Sequence, residues 1–126
     1  MNQPRDAVDL TGRSILIVED AFYLAIEMEE TVARVGGTVV GPFADASEGL
    51  AALARRAPDA AVVDINLGAG PSFQMADALQ EAEVPFVFLT GYDASVVPER
   101  FANAARVQKP ANTGVLLRQL AEVMVR

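Results

Sequence analysis

The chain has 126 residues and carries 17 Asp and Glu against 10 Lys and Arg, a net charge of −7. With 52% apolar residues, it has enough material for one packed core and too little charge for extended disorder. The acidity argues against a nucleic-acid backbone as partner, and the lack of Cys and His removes disulfides, thiol catalysis, thiolate or imidazole metal sites and phosphohistidine.

Residues 1–12 read as a short polar leader ending at Thr11-Gly12, and residues 13–126 as one domain. Ser14-Ile-Leu-Ile-Val-Glu19 is an apolar, β-branched run of strand length, as expected of a strand buried on both faces. From Asp20 the period turns helical through Leu24, Met28, Val32 and Val35, and Gly36-Gly37 stops that helix. Thr38-Val-Val is a second strand, closed by Gly41-Pro42. Asp45 caps a second helix with Glu48 as its capping-box partner, and the expected buried stripe is Ala46, Leu50, Leu53 and Ala57. Ala60–Asp64 is a third strand and Gly68–Pro71 a loop. Met75, Leu79 and Ala82 mark a third helix, and Pro85–Thr90 a fourth strand. Pro98 opens a short helical segment to Asn103. Ala105–Gln108 is the fifth strand. Asn112 or Thr113 caps a last helix that buries Leu116, Leu117, Leu120 and Met124.

Strands alternating with five helical segments imply an α/β doubly wound, five-stranded parallel sheet with helices on both faces. No apolar run approaches the ~20 residues of a membrane span, and the first residues lack the apolar core of a signal peptide. The expected location is cytoplasmic, with neither membrane nor nucleic acid as partner. The last helix ends near Arg126, so a stand-alone domain without an effector is expected.

Each apolar strand but the second ends in polar residues: Glu19-Asp20, Asp64, Thr90 and Lys109. In open parallel sheets, ligands gather outside the carboxyl ends of the strands, where the strand order reverses. With an order of 2-1-3-4-5, Glu19, Asp20 and Asp64 converge there. One acidic strand end reads as a solvated charge, but three raise one another's pKa. A hard divalent cation such as Mg²⁺ resolves that conflict through carboxylate oxygens. Thr90 adds a hydroxyl and Lys109 a mobile ammonium. Gly91 leaves the mouth open. Together these groups make a phosphoryl-accepting pocket, because phosphoryl transfer needs mainly positioning and charge neutralisation.

Ile15-Leu-Ile-Val-Glu-Asp20, Val62-Val-Asp64-Ile-Asn-Leu67, Phe88-Leu-Thr90-Gly-Tyr92 and Lys109-Pro110, taken in order, resemble a bacterial response-regulator receiver domain of the CheY-like superfamily, a flavodoxin-like (βα)5 fold. The likeness runs from about Arg13 to the end of the chain. It implies that Asp64 is phosphorylated by a sensor histidine kinase or phosphotransfer protein. Glu19, Asp20, Asp64 and the backbone carbonyl of Asn66 would bind Mg²⁺ or Mn²⁺. Thr90 and Lys109 would contact the phosphoryl group, and the Lys109–Pro110 peptide would be cis. The implied output is a phosphorylation-switched protein interaction, with an unknown downstream protein, or a phosphate sink. The domain would modify only itself and would not be an enzyme on external substrates. A phosphorylation-independent binding module is the alternative.

Phe88-Leu-Thr-Gly-Tyr92 also resembles a receiver subgroup with a Phe-Ala-Thr-Gly-type motif, with Leu89 in place of the alanine. Most receivers carry an aromatic residue three positions before the lysine, and here that position is Arg106. Asn66 and Tyr92 are assigned to tuning the phosphate lifetime, with Tyr92 or Arg106 standing in for the aromatic switch. Phe22 and Ile26 lie one turn apart off the core stripe of the first helix, where the resemblance implies a partner contact. A flavin or nucleotide binder would need a Gly/Ser/Thr-rich loop where Glu19-Asp20-Ala21 stands. A metal-dependent phosphohydrolase would need an acid that Asn66 is not.

Overall fold

The computed structural model describes residues 8–66, 73–91, 97–110 and 112–125. Five strands, β1 (Ser14–Val18), β2 (Thr38–Phe43), β3 (Ala60–Asp64), β4 (Phe86–Thr90) and β5 (Ala105–Gln108), form one parallel sheet in the order β2-β1-β3-β4-β5. Among the described residues four α-helices accompany it: α1 (Phe22–Arg34), α2 (Ala46–Arg55), α3 (Gln74–Glu81) and α4 (Thr113–Met124). Between β4 and β5 the described residues hold only a 3-10 turn, Glu99–Phe101, where the sequence suggested a short helix to Asn103. The Gly68–Pro71 loop, Tyr92 and the first seven residues of the leader lie outside the described residues. No helix among the described residues is long and apolar enough to cross a membrane.

Alternation along the strands builds the two faces of the core. Ile15, Ile17, Val62, Val87 and Leu89 face α1 and α4, against Met28, Val32, Leu116 and Leu120. Leu16, Val18, Ala61 and Val63 face the other way, against Ala52, Met75 and Leu79. The three central strands are buried on both sides, as their unbroken apolar runs require. A third cluster joins Ile65, Ala76, Phe88 and Phe101, with Phe73 and Phe86 packed on it. The Phe101 ring meets Phe88 edge-on at 5.5 Å, so the short turn seals the sheet with aromatic area.

Four local readings change. Leu10 is buried among the core residues and its amide bonds the Val35 carbonyl, so packing begins inside the segment read as a leader. β2 runs on through Gly41-Pro42. This is an edge strand, where a proline costs no ladder bond on the open side, and its register shifts between Leu16 and Val18. Gly41 has φ 101°, and a Cβ there would lie 2.8 Å from Phe43 N. In α2 the residues buried are Gly49 and Ala52, with Leu50 and Leu53 half-buried and Ala57 exposed past the helix end. In α4 the buried residues are Leu116, Leu120 and Val123, with Leu117 and Met124 half-buried. Asp45 and Asn112 cap α2 and α4 through bonds from Glu48 N and Val115 N.

Candidate functional site

The carboxyl ends of β1, β3, β4 and β5 lie side by side in the sheet, and that places the polar residues. Val18 pairs with Val63, Asp64 with Leu89, and Thr90 with Gln108. Glu19 and Asp20 leave β1 next to Asp64 at the end of β3, and Lys109 leaves β5 next to Thr90, its amide bonding the Thr90 carbonyl at 2.8 Å. One carboxylate oxygen each from Glu19, Asp20 and Asp64 lies within 4.8 Å of the others. Glu19 and Asp64 are 2% and 1% exposed, Thr90 is buried, and Asp20 faces solvent. The Lys109–Pro110 peptide is cis.

Lys109 Nζ sits 2.9 Å from Asp64 Oδ2 and 3.2 Å from Glu19 Oε1, and donates to Glu19 Oε2 at 3.3 Å. Glu19 Oε2 also accepts from the Ala21 amide at 2.9 Å, and Asp64 Oδ1 accepts from the Asn66 amide at 3.0 Å. These local bonds fix both carboxylates without filling them. Glu19 Oε1 is buried and, although close to the ammonium, takes no hydrogen bond; Asn66 Oδ1 is likewise buried without one. Burial is the main force on Glu19 and, with the charge of Asp64, raises it from 4.5 to about 7 against the Ala21 amide and Lys109. Burial opposes the charge on Lys109, but the hydrogen bond and charge of Asp64, then those of Glu19, outweigh it and hold the ammonium above its ordinary value.

With all three carboxylates ionised, they and one ammonium leave two negative charges concentrated at a half-buried spot. Hard oxygen donors, a surplus of that size and an orphaned buried carboxylate oxygen fit a divalent cation such as Mg²⁺. Lys109 occupies part of the same electrostatic role, as the counter-ion that makes the buried acids tolerable without metal.

The other expected positions spread out. Gly91 is exposed, and a Cβ there would touch nothing within 4 Å, so the mouth is open and packing makes no demand for glycine. Arg106 points away from the carboxylates; its Nη2 donates to the Ala102 carbonyl at 2.8 Å and so holds the end of the 3-10 turn. Tyr92 lies outside the described residues. Phe22 and Ile26 are exposed on α1, at 72% and 36%. Tyr23, which the helical spacing did not single out, is the most exposed of this group at 88%, and its ring sits edge-on to Phe22 at 6.0 Å.

No protein-family model matches the chain. The phyllosphere-induced regulator PhyR of Methylorubrum extorquens is 31% identical over 139 residues, 94% of this chain and 50% of that protein. The chain therefore spans about half the length of the curated relative it matches. Among solved structures, the signal receiver domain of a modulated diguanylate cyclase from Desulfovibrio desulfuricans matches with a TM-score of 0.79 at 26% identity, over 90% of this chain and 94% of that one. The anti-anti-sigma factor PhyR from Bartonella quintana shares the fold, with a TM-score of 0.78 at 22% identity over 96% of this chain and 52% of that one.

Proposed function

We propose that this chain, which belongs with the response-regulator receiver domains of the CheY-like superfamily, is a phosphorylation-controlled binding module with Asp64 as phosphoacceptor. The observation that carries the reading is the 2.9 Å pair of Lys109 Nζ with Asp64 Oδ2, set in a cluster with Glu19 and Asp20. A carboxylate already held against a mobile ammonium is a nucleophile with its counter-charge in place.

The donor is a phosphohistidine on a sensor kinase or phosphotransfer protein. An Asp64 carboxylate oxygen attacks phosphorus and the P–N bond breaks. The electron pair leaves with the imidazole, which takes up a proton. Lys109 Nζ follows the charge from the carboxylate to a phosphoryl oxygen, and the Thr90 hydroxyl donates to another. Glu19, Asp20, Asp64 and the Asn66 backbone carbonyl would hold the metal. When bound, Mg²⁺ or Mn²⁺ supplies charge neutralisation for the phosphoryl oxygens. Attack by water later returns the carboxylate and releases phosphate, so the domain turns over only its own modification. Output is through protein binding, the Bartonella quintana relative being named an anti-anti-sigma factor, and Phe22, Tyr23 and Ile26 on α1 offer an exposed apolar contact for a protein partner.

Intact mass after incubation with Mg²⁺ and acetyl phosphate tests this. The expected result is one phosphoryl adduct that is lost in EDTA and in Asp64→Asn. Absence of an adduct, from acetyl phosphate and from phosphorylated histidine kinases alike, overturns it in favour of phosphorylation-independent binding. One observation favours that second reading: the side chain at position 106 is an arginine tied to the Ala102 carbonyl, not an aromatic ring able to follow Thr90.

A further inference from the structure

The end of the sheet opposite the carboxylate pocket carries the reverse charge. Arg55 closes α2, Arg56 follows it, and Arg13 precedes β1, and the three line one concavity of about 430 Å³ with the Ser14 and Thr38 positions. Val40, Ala52 and Pro58 give it an apolar wall. All three arginines are exposed. Among the described residues none of them forms an ion pair; Arg34, Arg106 and Arg118 are also without one, but only Arg13, Arg55 and Arg56 share this concavity. The groove's own acid, Asp59, is held by Ser14 within it: its Oδ2 accepts from Ser14 N at 2.7 Å and from Ser14 Oγ at 3.3 Å.

The ordinary reason for arginine at a helix C-terminus is the helix dipole, which offers only about half a negative charge. With the single charge of Asp59, that leaves more than one of the three guanidinium charges uncompensated in a chain of net charge −7. Guanidinium forks match phosphate oxygens two at a time, and a concavity of this size is in the range that holds a small ligand. Three guanidinium groups on one concavity gather positive charge in a chain that is acidic overall, and such a concentration attracts anions.

We infer that the groove formed by Arg13, Arg55 and Arg56 is a binding site for a small molecule carrying two or more phosphoryl groups, with the apolar wall receiving a ring or chain attached to them. The site is independent of Asp64, one strand length (~15 Å) away at the other end of the sheet.

Isothermal titration of the whole chain in EDTA, with inorganic pyrophosphate, adenosine diphosphate and adenosine as probes, tests it. Both phosphates are expected to bind with sub-millimolar Kd and adenosine not to bind. The Arg55→Ala/Arg56→Ala variant is expected to lose tenfold or more in affinity, and Arg13→Ala severalfold. The substituted side chains are exposed, and a thermal midpoint near that of the parent checks that the variants remain folded. No heat from either phosphate up to 10 mM overturns the inference. So does binding that the double substitution leaves unchanged, which would place the anion elsewhere. Binding of a glutamate-rich peptide but of neither phosphate overturns the ligand class in favour of an acidic protein segment.

Discussion

Lys109 is the counter-ion of two buried acids, and the proposed function gives it a second duty as the phosphoryl contact. Its replacement separates them. Lys109→Met leaves Glu19 and Asp64 buried without a cation. Breaking a buried pair costs several kcal/mol when both groups are dry; with the ammonium about a quarter exposed, ~1–2 kcal/mol is the expected loss. Urea unfolding in EDTA measures it, and an unchanged midpoint would mean the ion pairs contribute nothing to stability. Glu19 gives the pH dependence. Its carboxyl is raised to about 7 in the folded state and lies near 4.3 when unfolded, so between these values the folded state binds more protons. Stability of the metal-free protein therefore falls as pH rises from about 4.5 to about 7 and is flat above, as far as Glu19 contributes. Glu19→Gln should flatten that slope in melts across the same range. Glu19 and Asp64 were legible in the sequence because each follows an apolar run and so must lie at the end of a buried strand, whereas Lys109 follows Ala105–Gln108, which carries two polar residues, and stood out by its place before Pro110. Tyr23 was not, because helical spacing ranks core positions and says little about which outward residue stands most clear of its neighbours.

At the scale of elements, strands were easier to read than the contacts of helices. β3 appears over the expected residues, an apolar run bounded by turn residues; β5 does too, although Ala105-Arg-Val-Gln108 holds only one β-branched residue. β2 was cut short because Gly41-Pro42 looks like a stop, and an edge position that tolerates both is visible only once the sheet order is known. On α2 the expected Leu50 and Leu53 do pack against the core, but the fully buried positions, Gly49 and Ala52, were missed for a sharper reason. Hydrophobic spacing selects Leu50 and Leu53, whereas Gly49 is buried so close to the sheet that a Cβ would lie 2.9 Å from Val18 Cγ2 and 3.1 Å from Met75 Sδ. A residue selected for its lack of a side chain leaves no hydrophobic signal. Gly49→Ala gains up to about 1 kcal/mol of helix propensity but pushes α2 off Val18 at an overpacking cost of about 1–3 kcal/mol. The net expectation is a destabilisation of about 1 kcal/mol, read as a lower thermal midpoint. A higher midpoint would show that Met75 yields and that the approach is looser than the distances indicate.

Over the whole molecule, the sheet separates two charged ends, and only one of them could be read in the chain. The carboxylate end is written at strand termini. The arginine end draws on positions 13, 55 and 56, which no local pattern connects. The carboxylate end also couples ligand to fold, because its acids come from β1 and β3, the two strands that pack at the centre of the sheet. A cation held between Glu19, Asp20 and Asp64 binds the folded chain and not the unfolded one, so it stabilises by mass action. At free Mg²⁺ ten times its Kd the gain is about 1.4 kcal/mol, a rise of roughly 4–6 °C in midpoint for a domain of this size. The rise should be saturable, and it should be reversed by EDTA. Asp20→Asn removes the solvent-facing member of the cluster and should cut the rise by more than half, while substitutions in the arginine groove leave it intact. A Mg²⁺ response that survives Asp20→Asn and Asp64→Asn would place the ion elsewhere on this acidic surface and detach it from Asp64.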